Sequence, residues 1–138
     1  MGLQWREQLS VGNDLIDSDH KYLIEIINLA EHSLMINDSV ALAATLDKLW
    51  KYSKTHFSRE EAIATAAGYP LTAQLNHAHE ALLVGLVQMA QEAGQEWSEA
   101  AGKSFSVFLR GWLIDHVIKE DLLMKPYLKT YSPTFDPR

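Results

Sequence analysis

"LDKLWKYSKTHFSREEAIATAAGYP", residues 46–70, carries apolar side chains at Leu46, Leu49, Ile63 and Ala67. They fall at steps of three and four, the spacing that puts side chains on one face of an α-helix. The same face also holds Ser53, His56 and Glu60. Extended backward, the stripe takes in Leu42, and Ser39 can cap the helix. Forward, Gly68 is a C-terminal stop and "GYP" a turn, so the spacing predicts a helix from Ser39 to about Ala67. An apolar stripe interrupted by an imidazole and a carboxylate one turn apart decides the rest of the reading.

Three more stretches have the same periodicity, and strand signals are almost absent. One runs from about Asp19 to Ile36, after Asp17 or Ser18 as cap, with His20, Leu23, Ile24, Ile27 and Leu34 inward. Another runs from about Thr72 to Ala93 and stops at Gly94, with Leu75, His79, Leu82, Leu86 and Ala90 inward. The last starts at a Ser98 cap and reaches about Lys125, where Pro126 interrupts it. Its stripe is Phe105, Phe108, Leu109, Trp112, Leu113 and His116. Short connections make neighbours antiparallel, so the expected fold is an all-α, up-down-up-down four-helix bundle. A chain of 138 residues suits a single domain, with residues 1–18 as an N-terminal arm and 126–138 as a tail.

In such a bundle the start of the first helix, the end of the second, the start of the third and the end of the fourth share one end. His20, His56, Glu60, His79, His116 and Asp121 therefore converge in an otherwise apolar core. Buried imidazoles and carboxylates need strong partners, and metal ions are the simplest. Carboxylate and histidine sites in bundle cores build dinuclear iron or manganese centres. Zinc commonly takes three or four ligands, so six favour two irons. His77 is about 200° from His79 on a helix and reads as a surface residue. His32 reads the same way, Glu61, Glu92, Glu96 and Glu99 read as solvated charge, and Trp5, Trp50, Trp97 and Trp112 as packing.

His116 and Asp121 are five residues apart, about 140° on a straight helix. A π-bulge or an unwinding between them would bring both to one face. Glu120 fits a regular helix better and is an additional candidate ligand.

The composition excludes other classes. Apolar residues make up 47% and charged residues 22%, as in a soluble globular protein. The net charge is −6 and the Lys and Arg residues are scattered, which argues against nucleic acid and anionic membranes. No apolar stretch approaches the roughly 20 residues that cross a bilayer. The absence of cysteine rules out disulfides and thiolate sites. The first residues, "MGLQWREQLS", have no apolar signal region, and Arg6 stands where a myristoylation site needs Ser or Thr. The expected location is the cytoplasm.

The ordered set "WREQLSVGNDLIDSDHK", "HFSREE", "GYP", "HAHEALL", "LIDHVIKED" and "PYL" resembles a bacterial hemerythrin over nearly the whole chain. The resemblance implies two iron ions, bridged by an oxo or hydroxo group, that bind O2 and small exogenous ligands. His20 and His56 match the ligands of one iron, Glu60 and Asp121 the bridging carboxylates, and His79 and His116 two of three histidines on the other. The third would fall at position 75, where this chain has Leu75. The expected result is an additional open coordination position. Ile24 and Leu113 are expected to line the O2 pocket. Faster oxidation and weaker reversible carriage then favour an oxygen or redox sensor over a bulk carrier, with the tail as a candidate linker to a signalling output domain. The alternatives are a free-standing carrier, a peroxidase-like or ferroxidase-like enzyme, and a bundle that binds one metal or none.

Overall fold

The computed structural model describes residues 2–94 and 97–138. After a 3-10 turn at Glu7–Leu9 come α1 (Asp14–Met35), α2 (Ser39–Ala66), α3 (Thr72–Glu92) and α4 (Glu99–Gly111). α4 runs on into a π-helical segment, Trp112–Ile118, and then into the single turns α5 (Lys119–Leu122) and α6 (Lys125–Leu128). α1 packs against α2 and α4, and α2 against α3, which also touches the π segment. This is the expected antiparallel helical bundle.

Local chemistry sets the boundaries. The Asn13 side chain accepts from the amides of Leu15 and Ile16 at 3.0 and 3.1 Å. α1 therefore begins at Asp14, several residues ahead of the expected start. Asp17, one of the two expected caps, instead accepts from the Val11 amide at 3.0 Å and from the Ser10 hydroxyl. At α2 the cap is Asp38, which accepts from the Ala41 amide at 2.9 Å, rather than Ser39. Ser98 caps α4 as expected, through the Ala101 amide at 3.1 Å.

Gly68 closes α2 with φ +80°, its amide on Thr65 O and the Tyr69 amide on Ala64 O. That bond pair is a Schellman stop, and its left-handed residue favours glycine. Asn37 closes α1 in the same way at φ 56°. Pro126 lies in the first positions of α6, where a missing N–H costs nothing, so it opens a turn rather than breaking a helix.

The core has two parts. The larger includes Leu23, Ile27, Leu49, Leu86, Leu109 and Leu113. The smaller consists of Val11, Ile16, Ile63, Ala64, Tyr69, Leu75, Met124 and Leu128. Along each helix a buried polar residue falls between the two: His20 after Ile16, Glu60 before Ile63, His79 after Leu75, Asp121 before Met124. Phe108, expected inward, is instead 38% exposed. The tail folds back over the smaller cluster, with Pro133 O on the Asp14 amide at 2.7 Å and Phe135 O on the Asn13 side-chain amide at 3.0 Å. Among the described residues no helix is long and apolar enough to cross a membrane.

Candidate metal centre

His20, His56, Glu60 and Asp121 are fully buried or nearly so, and one donor atom from each lies within 4.8 Å of all the others. His56 and Glu60 are one turn apart on α2, with Nε2 2.9 Å from Oε2. α1 brings His20 Nε2 to 3.6 Å from the same oxygen and 2.7 Å from Asp121 Oδ2. Two turns into α3 lies buried His79, with Nε2 3.2 Å from Glu60 Oε1. Glu60 thus presents one oxygen to His56 and His20 and the other to His79.

Outer carboxylates aim two of these rings. Asp19 Oδ2 is 2.9 Å from His56 Nδ1, and Asp19 also accepts from Arg59 at 2.7 Å and from the Tyr52 hydroxyl at 2.6 Å. Glu61 Oε2 is 2.9 Å from His79 Nδ1, and its other oxygen accepts from Asn76 at 2.7 Å. A proton held on Nδ1 leaves the Nε2 lone pair facing inward, the arrangement of a metal-binding histidine with its supporting carboxylate. Phe57 stacks on the His79 ring at 4.0 Å and 5°, fixing its plane. Neither Asp19 nor Glu61 stood out in the sequence as part of the site. Each lies next to a predicted ligand, and an acid beside a ligand on a helix reads as a solvated charge.

Titration behaviour follows from crowding. Burial pushes His20 down. Burial also acts against a charged His56, but the Glu60 charge and the Asp19 hydrogen bond outweigh it and raise His56 to about 9. Burial and the neighbouring Glu60 charge hold Asp121 well above the usual carboxylate range. Glu60 goes the other way: burial would raise it, but the adjoining Asp121 carboxyl and the His56 charge hold it well below. Two carboxylates this close cannot both be charged without a cation between them.

Buried atoms without a hydrogen-bond partner supply a test of metal fit. They include His56 Nε2, both Glu60 oxygens, His79 Nε2, His20 Nδ1 and Asp121 Oδ1. Most belong to nitrogen and oxygen donors gathered at one point, and leaving such groups unpaired is costly. A two-imidazole, two-carboxylate set matches the ligand preferences of iron, which takes mixed imidazole and carboxylate donors.

The other predicted residues lie as follows. His116 is exposed and lines an open cleft of about 460 Å³ between α3 and the π segment, together with Asp115, Trp112 and Glu120. The π segment is the one expected near here, but its position changes the outcome. Inward positions on the last helical stretch are Leu109, Trp112, Leu113, Val117, Ile118, Asp121 and Met124. A regular helix continued from Leu109 and Leu113 would turn positions 116 and 120 inward. The wider π turn carries that face one residue onward, taking Asp121 in and leaving His116 and Glu120 on the cleft side. Leu75 is 2% exposed and packs in the smaller apolar cluster. Ile24 and Leu113 are buried in the larger one. His77 and His32 are exposed, as are Glu92 and Glu99, whereas Glu61 is half-buried and bonded. Glu96 lies outside the described residues.

A helical bundle holding a buried cluster of histidines and carboxylates defines a metal-binding protein. The chain belongs to the hemerythrin family, since the model of the Hemerythrin HHE cation binding domain matches residues 11–128. That family binds non-haem iron. A Bacteriohemerythrin of Stenotrophomonas maltophilia is 27% identical over 96% of this chain and 86% of its own length. The Bacteriohemerythrin of Methylococcus capsulatus is 27% identical over 81% of this chain and 85% of its own. Crystallised wild-type hemerythrin has the same fold, with a TM-score of 0.78 at 22% identity over 93% of this chain and 98% of the other.

Proposed function

We propose that this chain is a non-haem iron domain that responds to O2 or to redox state rather than carrying O2 in bulk. One observation supports this most: four buried donors, His20, His56, Glu60 and Asp121, meet within 4.8 Å, and His56 Nε2, both Glu60 oxygens and Asp121 Oδ1 have no hydrogen-bond partner there. These residues would hold the metal, and iron bound there would supply O2 binding and a redox couple. Asp19 is placed to hold a proton on His56 Nδ1 and leave Nε2 to a metal, and the Asp19 carboxylate is itself held by Arg59 and Tyr52. Buried apolar clusters holding Leu23, Ile24 and Leu113 on one side and Ile16, Ile63 and Leu75 on the other would keep bulk water from the site.

The sensing half of the reading rests on Leu75. An apolar side chain at the place of a family histidine leaves fewer donors, which favours one-way oxidation over repeated loading and release. A second iron is what the resemblance implies, and His79 with Glu60 Oε1 is what this chain offers on that side. The cytoplasm is the proposed location, in keeping with a chain that lacks cysteine. A signalling domain joined at the C-terminus would meet the metal end of the bundle, because the tail packs against Asn13, Asp14 and Ala66.

The test is iron content measured together with absorption spectra, reduced, aerated and degassed. A sensor is expected to change spectrum once on aeration and to recover only with reductant. Recovery on degassing alone would point to a carrier. Absence of iron, or a spectrum indifferent to air, would overturn the proposal.

A further inference from the structure

We propose that each chain retains a single metal ion, on His20, His56, Glu60 and Asp121, and that the second position of the dinuclear pattern has been lost. The inference rests on the metal-binding reading above and concerns how many ions the site can keep. Among the described residues, these four are the one group of three or more donors close enough to share an ion.

The other half of the pattern fails at two separate points. At position 75 a buried leucine packs among Val11, Ile16, Ile63 and Met124, so that place belongs to the apolar core. His116 is turned out to the cleft beside α3 by the register of the π segment. The two losses come from different elements and different causes, one a residue type and one a helical phase. What remains is His79 and the Glu60 oxygen 3.2 Å from it; Asp121, the other carboxylate of the pattern, groups with His20, His56 and Glu60 and not with His79. One imidazole and one shared carboxylate oxygen are too few to hold an iron ion against water, since zinc and non-haem iron sites in proteins are built on three or more ligands.

By contrast, the four-residue set matches a known mononuclear chemistry. Two imidazoles and a carboxylate with open positions are the ligands of mononuclear ferrous sites, and here a second carboxylate adds charge. Asp121 and Glu60 together neutralise a divalent cation.

The experiment counts ions. The purified chain is loaded with excess ferrous iron under argon, desalted, and measured by elemental analysis and by native mass spectrometry, with circular dichroism to confirm helicity. The same is done for His116→Ala, an exposed position whose truncation leaves the core untouched, and for Glu60→Gln. One ion in the wild type, one in His116→Ala and none in Glu60→Gln is the expected result. Two ions in the wild type would overturn the single-ion assignment while leaving the metal-binding reading standing. Loss of an ion in His116→Ala would also overturn it, by showing that this histidine is a ligand. No ion in the wild type would remove both readings together.

Discussion

Asp19 and Glu61 do the same thing for different histidines, and the single-ion assignment separates them. Asp19 bonds His56, a ligand of the retained ion, while Glu61 bonds His79, which faces the abandoned side. Supporting carboxylates of this kind commonly contribute about 10–100-fold to metal affinity. Asp19→Asn is therefore expected to weaken ferrous binding by about that factor, read by competition with a coloured chelator. Glu61→Gln is expected to leave that affinity unchanged. Equal losses in both variants would mean that His79 shares the ion. Of the candidate site, the sequence shows His20, His56, Glu60 and His79 on the helix faces, because a polar interruption in an apolar stripe is visible at steps of three and four. It does not show the acids behind them. Asp19 and Glu61 sit immediately beside His20 and Glu60, off the stripe, where only the bundle's own geometry reveals that they reach across to α2 and α3.

At the scale of helices, the boundaries turn on single side chains. Asn13 satisfies two amides of α1 and ties the tail through Phe135, so Asn13→Ala is expected to cost about 1–2 kcal/mol, measured by chemical denaturation. Periodicity predicted each helix correctly in kind but could not choose between adjacent capping residues such as Asp38 and Ser39, both of which are suitable. The fourth helix shows a deeper difficulty. Straight-helix arithmetic placed His116 inward and flagged Asp121 as out of phase, and it anticipated a π turn. It could not locate the extra residue, because sequence spacing is unaffected by where along the helix the widening occurs. The structure puts it at Trp112–Ile118, upstream of where both residues would align. A π turn amounts to one inserted residue, and removing the exposed Asp115 should restore a regular helix with Val117, Ile118 and Asp121 still inward. The deletion is expected to keep the metal and to raise stability by about 1 kcal/mol, roughly one well-formed hydrogen bond. Metal loss on deletion, with helicity intact, would show that the widened turn itself sets the site.

Across the whole molecule, a polar layer separates two apolar clusters, and every one of the long helices crosses it. That layer is the weak stratum of the metal-free protein: its imidazoles and carboxylates are out of water, and several of their atoms have no partner. The topology was readable from the sequence because short loops force antiparallel neighbours, and the polar layer followed from it. An ion that binds only the folded chain ties α1, α2 and the last helical stretch together across this stratum. Ligand linkage then stabilises the fold by about 2.7 kcal/mol when free metal is a hundredfold above its dissociation constant. For a domain of this size that corresponds to a rise in melting temperature on the order of 5–10 °C. The expected observation is a metal-free protein that is already helical by circular dichroism, because the apolar clusters on both sides persist without the ion, and that melts later as ferrous iron is added under argon. His56→Ala should be helical as well, yet its melting temperature should not respond to iron. If wild-type melting were equally indifferent to saturating iron, the layer would be a tolerated polar seam and the four convergent donors would not be a binding site.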